Sequence, residues 1–176
     1  MITIRRVGHL VSSTLACVAM AAALAAPPRA SAEPPRDFPN MGGWATMTDT
    51  KPFQMSGRWG WSIGFTTPDG SISCMISAQA SCSGQIPAIP QALPAVGEGN
   101  CPYVANSGLT LSEDKPYAFT RSGGSCPPFL STPLNAGQKL VTPYMSCGVG
   151  DAGLVACIDT QRRHGFVIRQ SGSAAF

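Results

Sequence analysis

The stretch Trp59-Gly60-Trp61-Ser62-Ile63-Gly64-Phe65-Thr66-Thr67-Pro68-Asp69-Gly70-Ser71-Ile72-Ser73-Cys74-Met75-Ile76 decides how this chain folds. Large apolar side chains fall at every second position, Trp59, Trp61, Ile63 and Phe65, with Gly60, Ser62 and Gly64 between them. A period of two belongs to a strand with one buried face, because successive side chains leave a pleated backbone on opposite sides. Thr67-Pro68-Asp69-Gly70 then supplies turn chemistry: Pro68 presets φ, Asp69 bonds its own backbone, and Gly70 tolerates positive φ. Alternation resumes at Ile72, Cys74 and Ile76, so the pair is predicted to be a β-hairpin. On this reading Trp59 and Trp61 face the core, where aromatic rings bury most area, with a stacking platform for a sugar or a lipid as the functional alternative.

Downstream, strands are predicted over Leu109 to Leu111, Tyr117 to Thr120, Lys139 to Thr142, Leu154 to Asp159 and Phe166 to Arg169, between clusters of Gly, Pro, Asn and Ser. Residues Gly84 to Gly99 hold Pro87, Pro90 and Pro94, and proline at that density lacks the donors of a central strand, so a long surface loop is expected. No window after residue 32 sustains a helical period over three turns; at most a short helix fits near Pro90 to Val96. The predicted class is all-β, a small disulfide-stapled antiparallel sandwich or barrel.

Upstream, Arg5 and Arg6 precede an apolar run from Leu10 to Ala26, and Ala30-Ser31-Ala32 offers the small residues of an export cleavage site. Residues 1–32 therefore read as a signal peptide, with membrane contact only through this segment if it stays uncleaved. Cys17 leaves with it; Thr14, three residues earlier, stands where a lipoprotein signal carries leucine. Residues 33–43, with Pro34, Pro35 and Pro39, read as a flexible extended tail. Residues 44–176 make one domain. The expected address is secreted, outside the cell or on its envelope.

Six cysteines remain after the leader: Cys74, Cys82, Cys101, Cys126, Cys147 and Cys157. An even count in an exported chain reads as a disulfide framework. Sequence alone does not choose among the pairings, but Cys74 and Cys82, and Cys147 and Cys157, are spaced for a strand to reverse between them. Sequential pairing then leaves Cys101 with Cys126. No C-x2-C pair occurs and His164 is the only histidine past the leader, so neither a metal site nor a cofactor is expected.

The chain carries 12 Lys plus Arg against 9 Asp plus Glu. Three of the arginines, Arg5, Arg6 and Arg29, belong to the leader, which leaves nine against nine. A neutral domain lacks the positive field that drives nucleic-acid binding. The one basic cluster, Arg162-Arg163-His164, reads as a solvated turn between strands, with contact to an anion as its functional alternative.

No catalytic residue is assigned. A hydrolase would have to use His164 with Asp159 nearby, yet no G-x-S-x-G elbow is present. Glu113-Asp114 reads as a solvated hairpin turn rather than half of a carboxylate pair. Cys126-Pro127-Pro128-Phe129-Leu130 is a rigid apolar loop, the kind of preorganised segment a protease inhibitor presents, or simply a stable turn. Trp44 is expected to cap one end of the core. Candidate ligand or partner contacts are thus Trp44, Phe129, Arg162, Arg163 and His164.

The run Phe65-Thr-Thr-Pro68-Asp-Gly70-Ser-Ile72-Ser-Cys74 and the closing Gly165-Phe166-Val167-Ile168 resemble an uncharacterised family of exported actinobacterial, mycobacterial-type proteins with an F-x-S-P-x-G-N-I-x-C hairpin. Thr67 replaces the usual serine and Ser71 the usual asparagine. The resemblance implies export and a β fold, with no catalytic assignment. The expected function is a non-catalytic binding or interaction module acting on an unknown protein or envelope ligand. The rival classes are a small hydrolase using His164 and an inhibitor presenting Phe129.

Overall fold

The hairpin forms as the alternation requires. The computed structural model describes residues 34–57, 60–89, 95–107, 115–124, 126 and 131–176. The leader, Trp59, the strand expected at Leu109 to Leu111, Glu113-Asp114 and Phe129 with its loop lie outside these residues. The strands are β1 (Ala45–Thr46), β2 (Gln54–Gly57), β3 (Gly60–Thr66), β4 (Ile72–Ile76), β5 (Ala80–Gly84), β6 (Ala95–Gly99) and β7 (Cys101–Asn106). They continue as β8 (Tyr117–Gly124), β9 (Thr132–Pro133), β10 (Gln138–Val141), β11 (Met145–Val149), β12 (Val155–Asp159), β13 (Gly165–Ile168) and β14 (Ala174–Ala175). Among the described residues the only helical pieces are three-residue 3-10 turns at Met41–Gly43, Lys51–Phe53 and Asp151–Gly153.

Two sheets result. The larger runs β2-β3-β4-β5-β7-β8-β6 with β9 added beside β3, and the smaller runs β1-β10-β11-β12-β13-β14. Pairing is antiparallel except for β1 with β10, β3 with β9 and β6 with β8. The sheets pack face to face as a sandwich. Phe65, Ile72, Ile76 and Val104 of the larger sheet meet Leu140, Val149, Val155 and Phe166 of the smaller in one buried cluster. At the seam the Tyr117 and Phe166 rings lie 5.3 Å apart. The Tyr117 hydroxyl accepts the Ala80 N–H at 3.1 Å and donates to Met145 Sδ at 3.5 Å. One phenol thereby ties β5 of one sheet to β11 of the other.

The β3–β4 turn shows why its residues are polar. Asp69 Oδ1 accepts the Thr67 hydroxyl at 2.6 Å, and both the hydroxyl and the N–H of Ser71. These hydrogen bonds, the Thr67 hydroxyl first, hold the Asp69 carboxyl below the usual carboxylate range. Gly70 takes the left-handed backbone at φ 70°.

The sulfurs join in sequence order. Cys74 faces Cys82 across β4 and β5, and Cys147 faces Cys157 across β11 and β12, each with 4.1 Å between α-carbons. Cys101 bonds Cys126, just past β8, across 4.8 Å. Cys74 and Cys82, and Cys147 and Cys157, are directly opposed across their ladders, which brings their side chains within bonding reach. Three such bridges are the chemistry of an oxidising environment. No helix among the described residues is long and apolar enough to cross a membrane.

Three expectations are corrected. Trp61 does not face the core: it is 69 % exposed, whereas Ile63 and Phe65, on the same face of β3, are buried. It sits opposite Ser56, one pair from the Gly57–Gly60 end of the β2–β3 ribbon, beyond the reach of the core. Period two states which way a side chain points, not whether anything covers it. The expected loop from Gly84 to Gly99 ends in a strand, β6, whose Ala95 and Val96 pair in parallel with Arg121 and Ser122. That also removes the C-terminal part of the short helix considered for Pro90 to Val96; residues 90–94 lie outside the described set. β6 follows the last proline of the segment, so its donors are intact. Finally, the segment read as a tail docks on the smaller sheet. Met41 is buried with Ala156 and Val167, Phe38 packs edge-on against Phe176, and Asp37 pairs with Arg169.

Candidate functional site

The basic cluster forms a turn, as expected, but of its three residues only Arg163 is exposed. Asp159 Oδ1 accepts the N–H groups of Gln161 at 2.7 Å and Arg162 at 2.9 Å, and Arg163 takes the left-handed conformation at φ 62°. The expectation of a solvated histidine is corrected: His164 is buried, 9 % exposed. Its carbonyl accepts the Asp159 N–H at 2.7 Å, closing the turn where β13 enters the core. Asp159 therefore organises backbone, and the turn spends its polar groups on its own shape. Asp159 and Arg162 also act electrostatically on Tyr117 in opposite senses. Desolvation dominates there and pushes the phenol up to about 12. No group of three His, Cys, Asp or Glu side chains among the described residues is arranged to hold a metal ion.

Trp44 lies across the outer face of the smaller sheet rather than at one end of the core. Its ring covers Gly148 and Gly150, so closely that a β-carbon on Gly148 would come within 2.6 Å of it. It packs with Met41, Leu154 and Ile158 and is half-buried. The indole is committed to structure. Of the remaining candidates, Phe129 lies outside the described residues, while its tether, Cys126, reaches the edge of a sizeable concavity.

That concavity is on the outer face of the larger sheet, a cleft of about 590 Å³ lined by Ser71, Ser73, Ser83, Gln85 and Asn100. Ile86, Pro87 and Pro102 supply its apolar surface, and the Cys101–Cys126 bridge bounds one end. Its construction follows from pleating. Ile72, Cys74 and Ile76 of β4, and Ala80 and Cys82 of β5, turn inward, which sends Ser73 and Ser83 outward as a directly opposed pair. Gly84 at φ 132° lets β5 leave the ladder, with the Gln85 N–H donating to Ser71 O at 2.9 Å. A β-carbon at Gly84 would come within 2.2 Å of that oxygen, so only glycine permits the close approach that closes the cleft's base. Asn100 Oδ1 accepts from the Arg121 guanidinium.

Ser71, Ser73, Ser83 and Asn100 were not singled out as site residues from sequence. Ser71, Ser73, Ser81 and Ser83 form a period-two polar stripe, and alternation alone reads as a solvated back. The cleft exists only once β4, β5 and β7 are side by side. No family model, curated protein or solved structure matches the chain, so its chemistry is read from its own residues.

Proposed function

We propose that the chain is an exported, non-catalytic binding module, acting at the cell envelope or outside the cell through the cleft above Ser73 and Ser83. The export leader read over residues 1–32 and the resemblance to exported actinobacterial proteins support the address, and three disulfides agree with it. The observation that carries the binding role is a 590 Å³ cleft, of the size that holds small ligands, whose described lining offers hydroxyls and carboxamides and no titratable side chain. Such a lining suits recognition: among the described residues it sets no base beside a nucleophile. The partner is an envelope or extracellular ligand, with the neutral mature charge giving no attraction to nucleic acid.

Co-sedimentation of the oxidised protein with washed envelope fragments tests this. Binding that Ser83→Trp abolishes and His164→Ala leaves intact is the expected result. Absence of binding, or a hydrolytic activity lost in a folded His164→Ala variant, overturns it.

A further inference from the structure

We infer that the cleft is one end of a trough built for a neutral glycan, with the Tyr103 ring as its stacking wall. The inference rests on the reading of the cleft as the binding site and names what enters it. Ser73 and Ser83 line both the cleft and a second depression of about 100 Å³, in which Met75, Ser81 and Tyr103 join them. Met75, Ser81 and Tyr103 in turn line a third, of about 230 Å³, that reaches Ser77. The three follow one another along β4 and β5, each sharing lining residues with the next. From Ser71 to Ser77 the trough runs roughly 20 Å at the rise of an extended strand, the length of a short oligosaccharide.

The two serines at its centre are the second observation, independent of the run of small residues. Ser73 is 7 % and Ser83 is 6 % exposed, and among the described residues neither hydroxyl has a hydrogen-bond partner. A hydroxyl with no protein partner, on a nearly buried residue and open to a concavity, is complementary to a ligand that both donates and accepts. Hydroxyls do both, and carboxamides add a donor and an acceptor on one flat group. Asn100 gives its oxygen to Arg121 and so offers its NH₂ to the cleft, while Gln85 keeps both.

Charge and topology exclude the alternatives. Among the described residues that line the three depressions there is no Asp, Glu, Lys, Arg or His, so an ionic ligand would lose hydration against them without gaining a counter-charge. An extended peptide adds to a sheet through main-chain hydrogen bonds at an open edge. β4 and β5 are interior strands whose backbone groups are paired on both sides, with β3 and β5, and with β4 and β7. Recognition must therefore come from side chains alone. A sugar ring fits that requirement: hydroxyls around its rim meet the serines and amides, and its apolar face lies on the half-buried Tyr103 ring and the Met75 thioether.

The test is isothermal titration of the full chain, expressed with its own leader and purified oxidised, with maltohexaose, cellohexaose and xylohexaose, and with a heparin hexasaccharide as the anionic comparison. The expected result is binding of at least one neutral hexasaccharide, with Kd unchanged within twofold from 50 to 500 mM NaCl. Ser83→Trp and Tyr103→Ala should each weaken it tenfold or more, with near-native circular dichroism. Trp61→Ala, which removes the most exposed aromatic but lies outside the trough, should leave it unchanged. Binding of heparin alone, loss of affinity with salt, or loss in Trp61→Ala but not in Ser83→Trp overturns the inference. If envelope fragments bind through the cleft while all three neutral glycans fail, the glycan assignment falls and the binding-module reading stands. If neither binds, that reading falls as well.

Discussion

Replacing Tyr117 by phenylalanine keeps the ring that packs 5.3 Å from Phe166 and removes only the oxygen that links the two sheets. Tyr117 is 4 % exposed and Ala80 is 2 % exposed, so no solvent takes the vacated place. The Ala80 N–H is left buried without an acceptor, at a cost of about 1–3 kcal/mol. For a domain of this size that lowers the melting temperature by roughly 2–12 °C, at 2–4 °C per kcal/mol. The same phenol makes stability depend on alkaline pH. Its folded pKa is about 12 against the ordinary 10.0, because burial disfavours the phenolate. Between these values the unfolded chain releases a proton that the folded one keeps, so unfolding gains as pH rises. At about 1.4 kcal/mol per unit, the full effect is on the order of 2.7 kcal/mol. Urea denaturation of the oxidised protein at intervals from pH 9 to 11.5 measures it. Wild type should lose stability above pH 10, and Tyr117→Phe should start lower and lack this decline. Equal stability of the two proteins at neutral pH, or parallel declines above pH 10, would refute the reasoning.

Gly148→Ala drives a methyl group into the Trp44 ring and the Gln138 carbonyl, 2.6 and 2.7 Å away, and should destabilise by about 1–3 kcal/mol. Part of that cost should vanish in the Trp44→Ala background, which a double-mutant cycle by thermal denaturation reads directly. Among the disulfides, removing Cys101–Cys126 as a double alanine variant should cost most. It closes a 25-residue separation against 8 and 10 for the other two, about 3.5 against about 2.6–2.8 kcal/mol in the chain-entropy model. Urea unfolding of the three double variants ranks them. Asp69→Ala should lower the melting temperature at neutral pH by releasing the β3–β4 turn. Because the folded carboxyl lies below its ordinary 3.8, this contribution is present above that value and fades as pH falls through the folded pKa. Calorimetry at pH 7 and pH 2.5 should therefore show the gap between wild type and variant narrowing in acid.

The local part of the structure was readable because it depends on short spacing. Trp61 to Ile76 carries its own period and its own turn, and a cysteine pair separated by one reversal of the chain has little choice of partner. What depends on distant pairing was not. β6 finds its place only against β8, more than twenty residues later, and carries no alternation of its own. Trp61 has the parity of a core residue and overhangs the end of the core. His164 follows two arginines, which suggested solvent, yet it is the first residue of the chain's return into the sandwich. The cleft draws Ser71 and Ser73 from one hairpin, Ser83 and Gln85 from the next strand and Asn100 from the approach to β7. Each looks like ordinary surface until the sheet sets them side by side.

Hydroxyl-radical footprinting of the oxidised protein, free and bound to envelope fragments, tests most directly where the molecule makes contact. Met75 and Tyr103 flank the trough, while Trp61 and Tyr144, 69 % and 48 % exposed, report on surfaces away from it. Protection of Met75 and Tyr103 on binding, with Trp61 and Tyr144 oxidised as before, is the predicted outcome. Protection of Trp61 or Tyr144 with Met75 and Tyr103 unchanged would contradict the assignment of this face as the working surface.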